Sequence, residues 1–379
     1  MIETIILSDN PVCIGRGSFA GVYLVSAKLW VFKVVQNAQD AAAISHEYDA
    51  CRTLFQCCNN NSFFAVPRAL ALNVPRIDDT CATFLMPPQL SPRLQASRRP
   101  IRHIVREGEF SPFDKAAYAL DRVHDLPTGV KAYLRQCYFP SSVTVGPSLC
   151  RLYFGKEVPI STQPPRFINS QNFPLDVRRY EALFEKFPED LDPVEKVAEG
   201  MGEMLGRIHA WASYDGRDIE FVLGGNGFSS FSFWVIDFNQ MRKWTKQDSD
   251  IETLTSAFFS NDPYYPRPRS SDALYATFKT GYLSAFSGDL VPWGNAFLAA
   301  IEDEASSGFS YSNSGFSSAL GFDRHGWFPG YRGANASPAP LYCTTLLVPV
   351  GISQEFGLEQ LQDDSQATFG TDLHGTIVR

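Results

Sequence analysis

Short apolar runs broken by turn residues fill the first part of the chain. Pro11-Val-Cys-Ile, Gly21-Val-Tyr-Leu-Val and Leu29-Trp-Val-Phe-Lys-Val-Val read as strands. Ile44, Tyr48, Cys51 and Phe55 recur at helical spacing and predict a helix over 44–55. Ala82-Thr-Phe-Leu-Met reads as a strand running into Pro87-Pro88, a rigid connection. Residues 1–90 therefore read as a small β-rich lobe.

Residues 91–180 carry a weaker pattern and read as an insert at the start of a second lobe, 91–305. Leu149-Cys-Arg-Leu-Tyr-Phe is a strand signal within it, and Pro165 to Pro174 reads as loop. The strongest helix signal follows. Asp192 is placed to cap, Pro193 suits the first helical position and Glu195 completes a capping box. Val194, Val197, Ala198, Met201, Leu205 and Ile208 form one apolar stripe, which is core. The helix is predicted to run to His209 or Trp211. Strands at Phe221-Val-Leu and Phe233-Trp-Val-Ile follow, then helices between 270 and 305. From Ser306, glycine, serine and asparagine interrupt every apolar run, so 306–379 reads as a low-complexity, disordered tail, even as a gene-model extension.

Composition narrows the class. The chain has 379 residues, 44% hydrophobic and 20% charged, the balance of a globular protein. The formal charge of −8 argues against a dedicated nucleic-acid coat or DNA partner and leaves room for a local basic patch. The opening residues Met1-Ile-Glu-Thr carry an acid where a signal peptide places bases. No apolar stretch approaches the roughly 20 residues of a membrane span. The expectation is a cytoplasmic protein with no membrane partner. Its cysteines at 13, 51, 57, 58, 81, 137, 150 and 343 are then reduced. They form no C-x-x-C pair and have no histidine at ligand spacing, so no metal is expected. Cys57-Cys58 reads as two half-buried residues.

Two constellations carry chemistry. Gly15-Arg-Gly17-Ser-Phe-Ala20-Gly21-Val22 lies between two strand signals, a hairpin whose backbone N–H groups suit phosphates. Lys33 follows between apolar neighbours and needs a partner, which Glu47 on the next helix supplies. Loop, lysine and glutamate in this order resemble the small lobe of a protein kinase, which implies ATP at Gly15, Gly17 and Lys33. A structural ion pair under a hairpin is the alternative. The second constellation is Tyr214-Asp215-Gly-Arg217-Asp218-Ile-Glu220-Phe-Val-Leu, followed by Trp234-Val-Ile-Asp237-Phe238-Asn239. Against the kinase pattern, Asp215 falls on the catalytic base, Glu220 on the metal-binding asparagine and Asp237 on the metal-binding aspartate. Tyr214, Glu220 and Asn239 depart from that pattern. An extra carboxylate beside ATP phosphates is unfavourable. Three carboxylates within six residues instead raise one another's pKa, which prepares a base, and suit a guanidinium. A solvated acidic loop is the alternative.

Gly200-Met-Gly-Glu-Met-Leu-Gly-Arg-Ile-His-Ala-Trp211, then Asp215 to Gly225, then Trp234-Val-Ile-Asp237-Phe resemble a fungal family long described as of unknown function and misnamed "zinc finger". Its hallmark is M-x-x-x-L-A-x-x-H-W followed by D-x-x-D-V-E-F-V-L-G-G. Arg151-Leu-Tyr-Phe-Gly and Asn172-Phe-Pro-Leu also fit, and the resemblance covers roughly 10–305. It implies an α+β, bilobal protein-kinase-like fold with a mainly helical C-lobe. The family includes arginine-containing cyclodipeptide synthases of secondary metabolism, which form a cyclo-arginine-Xaa diketopiperazine. The resemblance thus implies arginyl-tRNA and a second aminoacyl-tRNA as partners and no required cofactor, since the ester is already activated. It leaves Asp215, Asp218 and Glu220 to divide the base and guanidinium roles, with His209 as a secondary base.

A tRNA partner needs basic surface. Arg93, Arg98, Arg99, Arg102, His103 and Arg106 cluster in one segment that would contact phosphate, unless it is a solvated loop. Two other functions stay open: an ATP- and magnesium-dependent small-molecule phosphotransferase, and an inactive kinase-like binding module.

Overall fold

The structure is a computed structural model that describes residues 10–26, 28–75, 83–86, 105–159 and 172–307, and among these it has ten strands and seven α-helices. Six strands form the N-terminal sheet: β1 (Val12–Arg16), β2 (Ala20–Leu24), β3 (Trp30–Val35), β4 (Ala69–Val74), β5 (Thr83–Leu85) and β6 (Ala117–Asp121). Their order is β1-β2-β3-β6-β4-β5, antiparallel throughout. Helix α1 (Ala41–Cys58) connects β3 to β4. It packs Ile44, Tyr48, Cys51 and Leu54 into the main core with Val35 and Tyr118. A smaller core of Trp30, Phe32, Val34, Ala117, Ala119, Val105 and Phe110 covers the other face. Strand alternation puts Lys33 on the α1 side, opposite Phe32 and Val34.

Four strands form the second sheet, in the order β10 (Phe231–Ile236), β9 (Glu220–Gly225), β7 (Leu149–Tyr153) and β8 (Asn172–Asp176). The helices α2 (Thr128–Tyr138), α3 (Val177–Lys186), α4 (Val194–Arg207), α5 (Ile251–Ser260), α6 (Ala273–Ser284) and α7 (Val291–Ser306) belong to this C-terminal part. α4 and α6 lie backbone to backbone. A Cβ on Gly202 would run into the Phe278 carbonyl oxygen, and one on Gly281 into that of Glu199. No helix among the described residues is long and apolar enough to cross a membrane.

Several sequence expectations need correction. The stretch 91–180 is not a separate insert: β6 joins the N-terminal sheet between β3 and β4, and β7 pairs with β9. The first sheet therefore does not close near residue 90. β6 carries little strand signal in the sequence because alanine, at Ala117 and Ala119, is depleted in strands, although cores cover both of its faces. Pro174 lies in β8, paired parallel with β7, rather than in a loop; β8 is an edge strand, where proline is tolerated. The capping box at α4 does not form. Pro193 occupies the cap position without a side-chain bond, and the Asp192 carboxylate binds Lys196 Nζ at 2.5 Å instead. Its backbone oxygen accepts from Tyr180 Oη at 2.6 Å, which fixes Asp192 away from the helix start. Cys58 is fully buried and Cys57 half-buried. Cys81, Cys343 and the tail from 308 lie outside the described residues.

Candidate active-site cleft

Lys33 is the least buried residue of β3, its side chain 12% exposed. Its Nζ lies 2.6 Å from Glu47 Oε1 and 2.9 Å from Asp237 Oδ1. Burial works against the ammonium, but Asp237 and Glu47 overcome it and hold its pKa above the ordinary range. Glu47 is buried, and Oε1 also accepts from Tyr118 Oη at 3.1 Å and Phe238 N at 3.4 Å. Burial raises its pKa despite Lys33, and Asp237 adds to the rise. Phe19, at the tip of the β1–β2 hairpin, lies 5.8 Å from Lys33 Nζ. Gln36 ties this tip down: its side chain donates to the Gly17 carbonyl oxygen and its backbone N–H to that of Phe19. Gly15 and Gly17 have room for a Cβ, the nearest atoms being 3.8 Å away, so packing within the chain does not demand glycine there.

The loop after α4 separates the sequence-predicted carboxylates. A π turn (Ile208–Ala212) ends α4, and Ser213 reverses the chain at φ 56°. His209 is buried, its Nδ1 2.8 Å from Tyr282 Oη and its Nε2 3.4 Å from the Asp215 carbonyl oxygen. Burial pushes its pKa down to about 3, so the ring is neutral. Asp215 is buried too. Its Oδ1 accepts from the backbone N–H groups of Arg217 (3.1 Å) and Arg242 (2.9 Å), and Oδ2 from Arg242 Nε (2.7 Å). These bonds use both oxygens to fix the loop.

Asp218 and Glu220 sit differently. Asp218 has a left-handed backbone, φ 62°, and so does Asp237 at φ 64°. For a non-glycine residue this costs about 1–3 kcal/mol and marks sites where the surroundings fix the backbone. Asp218 Oδ2 accepts from Gln240 Nε2. Burial, then Asp237 and Asp262, push its pKa up to about 6, against Arg151 and Arg217. Glu220, which opens β9, pairs with Arg151 Nη2. Burial nevertheless raises its pKa to about 7; Arg151 opposes the rise, and Asp237, Asp262 and Asp218 add to it. Arg151 also lies 3.7 Å from Asp262, whose Oδ2 accepts from Tyr153 Oη at 3.0 Å.

The structure thus gathers Asp218, Glu220, Asp237 and Asp262 around Arg151 and Lys33, and holds Asp215 and His209 in the loop's support. Sequence reading gave Arg151, Asp262, Gln240 and Asn261 no role. Arg151 carried the signal that exposed Lys33, a cation between apolar neighbours in a strand. Arg106 is exposed and precedes Phe110, which packs on the sheet face opposite Lys33. Arg93, Arg98, Arg99, Arg102 and His103 lie outside the described residues.

Among the described residues, no group of three or more His, Cys, Asp or Glu is placed to hold a metal ion. No curated protein matches the chain. The model of a family described as "zinc finger protein" (DUF3669) matches residues 233–289, from β10 through Asp237 to the end of α6 and a few residues beyond. That span contains neither cysteine nor histidine, the residues that bind structural zinc, so the chain is similar to this family over a segment that has no zinc ligands of its own.

Proposed function

We propose that this chain has a bilobal protein-kinase-like fold and acts in the cytoplasm as an arginine-containing cyclodipeptide synthase fed by aminoacyl-tRNA. The fold reading is supported by the β1-β2-β3-β6-β4 sheet order and by Lys33 of β3 paired with Glu47 of α1 and facing Asp237. The observation that carries the activity is Asp218, a carboxylate in a left-handed turn with a pKa of about 6 beside Asp237 and Asp262. A base with this proton affinity works near neutral pH. Asp218 takes a proton from the α-ammonium of one aminoacyl ester. The freed nitrogen bonds to the carbonyl carbon of the other ester. The carbon–oxygen bond to the tRNA ribose breaks, and the ribose oxygen leaves with a proton. A second attack of the same kind closes the diketopiperazine ring. The carboxylates around Arg151 exceed their counter-charges, which favours a guanidinium-bearing substrate.

The test is expression of the full chain in a heterologous host and a mass-spectrometric search for arginine-containing diketopiperazines. Product is expected from the parent chain and, at a rate lower by about 100-fold or more, from Asp218→Asn. In lysate, formation should be abolished by RNase and should rise with pH through about 6. Folded protein without product overturns the reading.

A second reading, an ATP-dependent small-molecule phosphotransferase, is favoured by one observation. Phe19, at the tip of the Gly15–Gly21 hairpin, lies 5.8 Å from Lys33 Nζ, which brings a glycine-rich backbone near the Lys33–Asp237 pair, as a phosphate cradle requires. It predicts nucleotide binding that Lys33→Ala abolishes.

A further inference from the structure

The turn that presents Asp218 is held from outside its own loop. Gly216 and Asp218 both have left-handed backbones, φ 64° and 62°, on either side of Arg217. Asn261, the residue that ends α5, reaches across to both. Its Oδ1 accepts from Asp218 N at 2.6 Å, and its Nδ2 donates to the Gly216 carbonyl oxygen at 2.8 Å. The Asn261 side chain is 3% exposed, and its Nδ2 also lies 3.5 Å from Tyr265 Oη. One amide thus satisfies a donor and an acceptor of the same strained turn in a water-poor site. Above it, Gln240 Nε2 donates to the carboxylate itself.

We infer that Asn261 is the positioning residue for Asp218: its amide holds the Gly216–Asp218 turn in the left-handed form that aims the carboxylate toward Asp237, Asp262 and Arg151. The inference rests on the proposed role of Asp218 as base and names what sets that base's orientation. Without the amide the turn loses both anchors and relaxes toward ordinary backbone geometry, carrying the carboxylate toward water. The charged groups facing Asp218 are Asp237, Asp262, Glu220, Arg151 and Arg217. Asn261 carries no charge, so its loss acts through geometry and solvation rather than by a new charge.

Two measurements on the purified full chain test this. The first is a double-mutant cycle on the initial rate of diketopiperazine formation. Asn261→Ala is expected to lower kcat about 10- to 100-fold with KM little changed, the cost of misplacing a reacting group. In the Asp218→Asn background the same change is expected to cost less than about 3-fold, since residues acting as a unit are not additive. Equal losses in both backgrounds overturn the inference and leave Asn261 a purely structural residue. The second measurement needs no activity: the pH titration of the Asp218 carboxyl by carbon NMR, assigned by its absence in Asp218→Asn. Its midpoint near 6 is expected to fall toward the usual carboxylate range in Asn261→Ala, because burial is the largest cause of the elevation. An unchanged midpoint in folded protein overturns the inference. Asn261→Ser, which keeps a short hydroxyl acceptor, is carried in parallel should the alanine variant fail to fold. A parent chain that makes no diketopiperazine refutes the proposed reaction, and the titration then still decides the clamp.

Discussion

Asp215 and Asp218 show how one residue type takes opposite roles within one loop. Asp215 is enclosed by two backbone N–H groups and the Arg242 guanidinium, which together use its acceptor capacity. Asp218 has one amide donor on its carboxylate and faces Asp237 and Asp262. Burial, then Asp237 and Asp262, raise the pKa of Asp218, which suits it to the proton transfer proposed above. The arrangement has a stability cost with a definite sign. The folded pKa of Asp218, about 6, exceeds the unfolded value of about 3.9, so the folded chain binds this proton more tightly. The resulting stabilisation is complete below about pH 4 and is lost as pH rises through about 6. Two units at about 1.4 kcal/mol each set an upper bound near 3 kcal/mol, and partial solvent contact reduces it to about 1–2 kcal/mol. Asp218→Asn is therefore expected to raise the Tm by a few degrees at pH 8 and to give no gain at pH 4, measured by calorimetry. A lower Tm at pH 8 would mean that the Gln240 contact outweighs the repulsion.

At the scale of elements, β3, α1 and the segment after β10 meet through one buried cation. Lys33 belongs to β3, Glu47 to α1, and Asp237 follows β10, so a single ammonium ties the N-terminal sheet to the loop that carries the second left-handed aspartate. Glu47 is 1% exposed, and among the described residues its Oε2 has no hydrogen-bond partner. Removing Lys33 would leave a buried carboxylate uncompensated, which costs about 3–5 kcal/mol. Lys33→Ala is expected to lose stability on this scale in urea unfolding. Adding Glu47→Gln should recover more than half of the loss, because the neutral amide no longer needs the cation. If the double variant is as unstable as the single one, Lys33 acts mainly by packing, for instance under Phe19. The fold elements legible in sequence were apolar runs bounded by turn residues, as in β1 to β3, β5, β7, β9 and β10, and helical spacings, as in α1 and α4. α4 carried a clean apolar stripe, yet its predicted cap failed because Asp192 was already committed to Lys196 and Tyr180. β6 was illegible because Ala117, Tyr118 and Ala119 make a weak strand signal, alanine being depleted in strands.

For the whole molecule, sequence supplied the site's inventory and the fold supplied its partition. Asp215, Asp218, Glu220 and His209 were legible as a cluster because they are near neighbours in the chain. That Glu220 is held by Arg151 of β7, and Asp218 by Asn261 beyond α5, depends on contacts between residues far apart in sequence, which no local pattern encodes. The same partition sharpens the meaning of the −8 charge. Among the described residues, the five carboxylates of Asp218, Glu220, Asp237, Asp262 and Glu47 face three cations, Lys33, Arg151 and Arg217, so the site shares the sign of the whole chain. Within the site the phosphates of an anionic nucleotide meet repulsion and a cationic aminoacyl group meets attraction. This separates the two functional readings without turnover. Arginine methyl ester, an uncharged-carbonyl mimic of the aminoacyl end, is expected to raise the Tm in low salt by preferential binding to the folded chain. The shift should shrink as salt approaches about 0.15 M, where the screening length is about 8 Å, and should vanish in Asp218→Asn/Asp237→Asn. Magnesium-ATP is expected to give no shift. The reverse pattern, stabilisation by magnesium-ATP and none by the ester, would replace the synthase with the phosphotransferase.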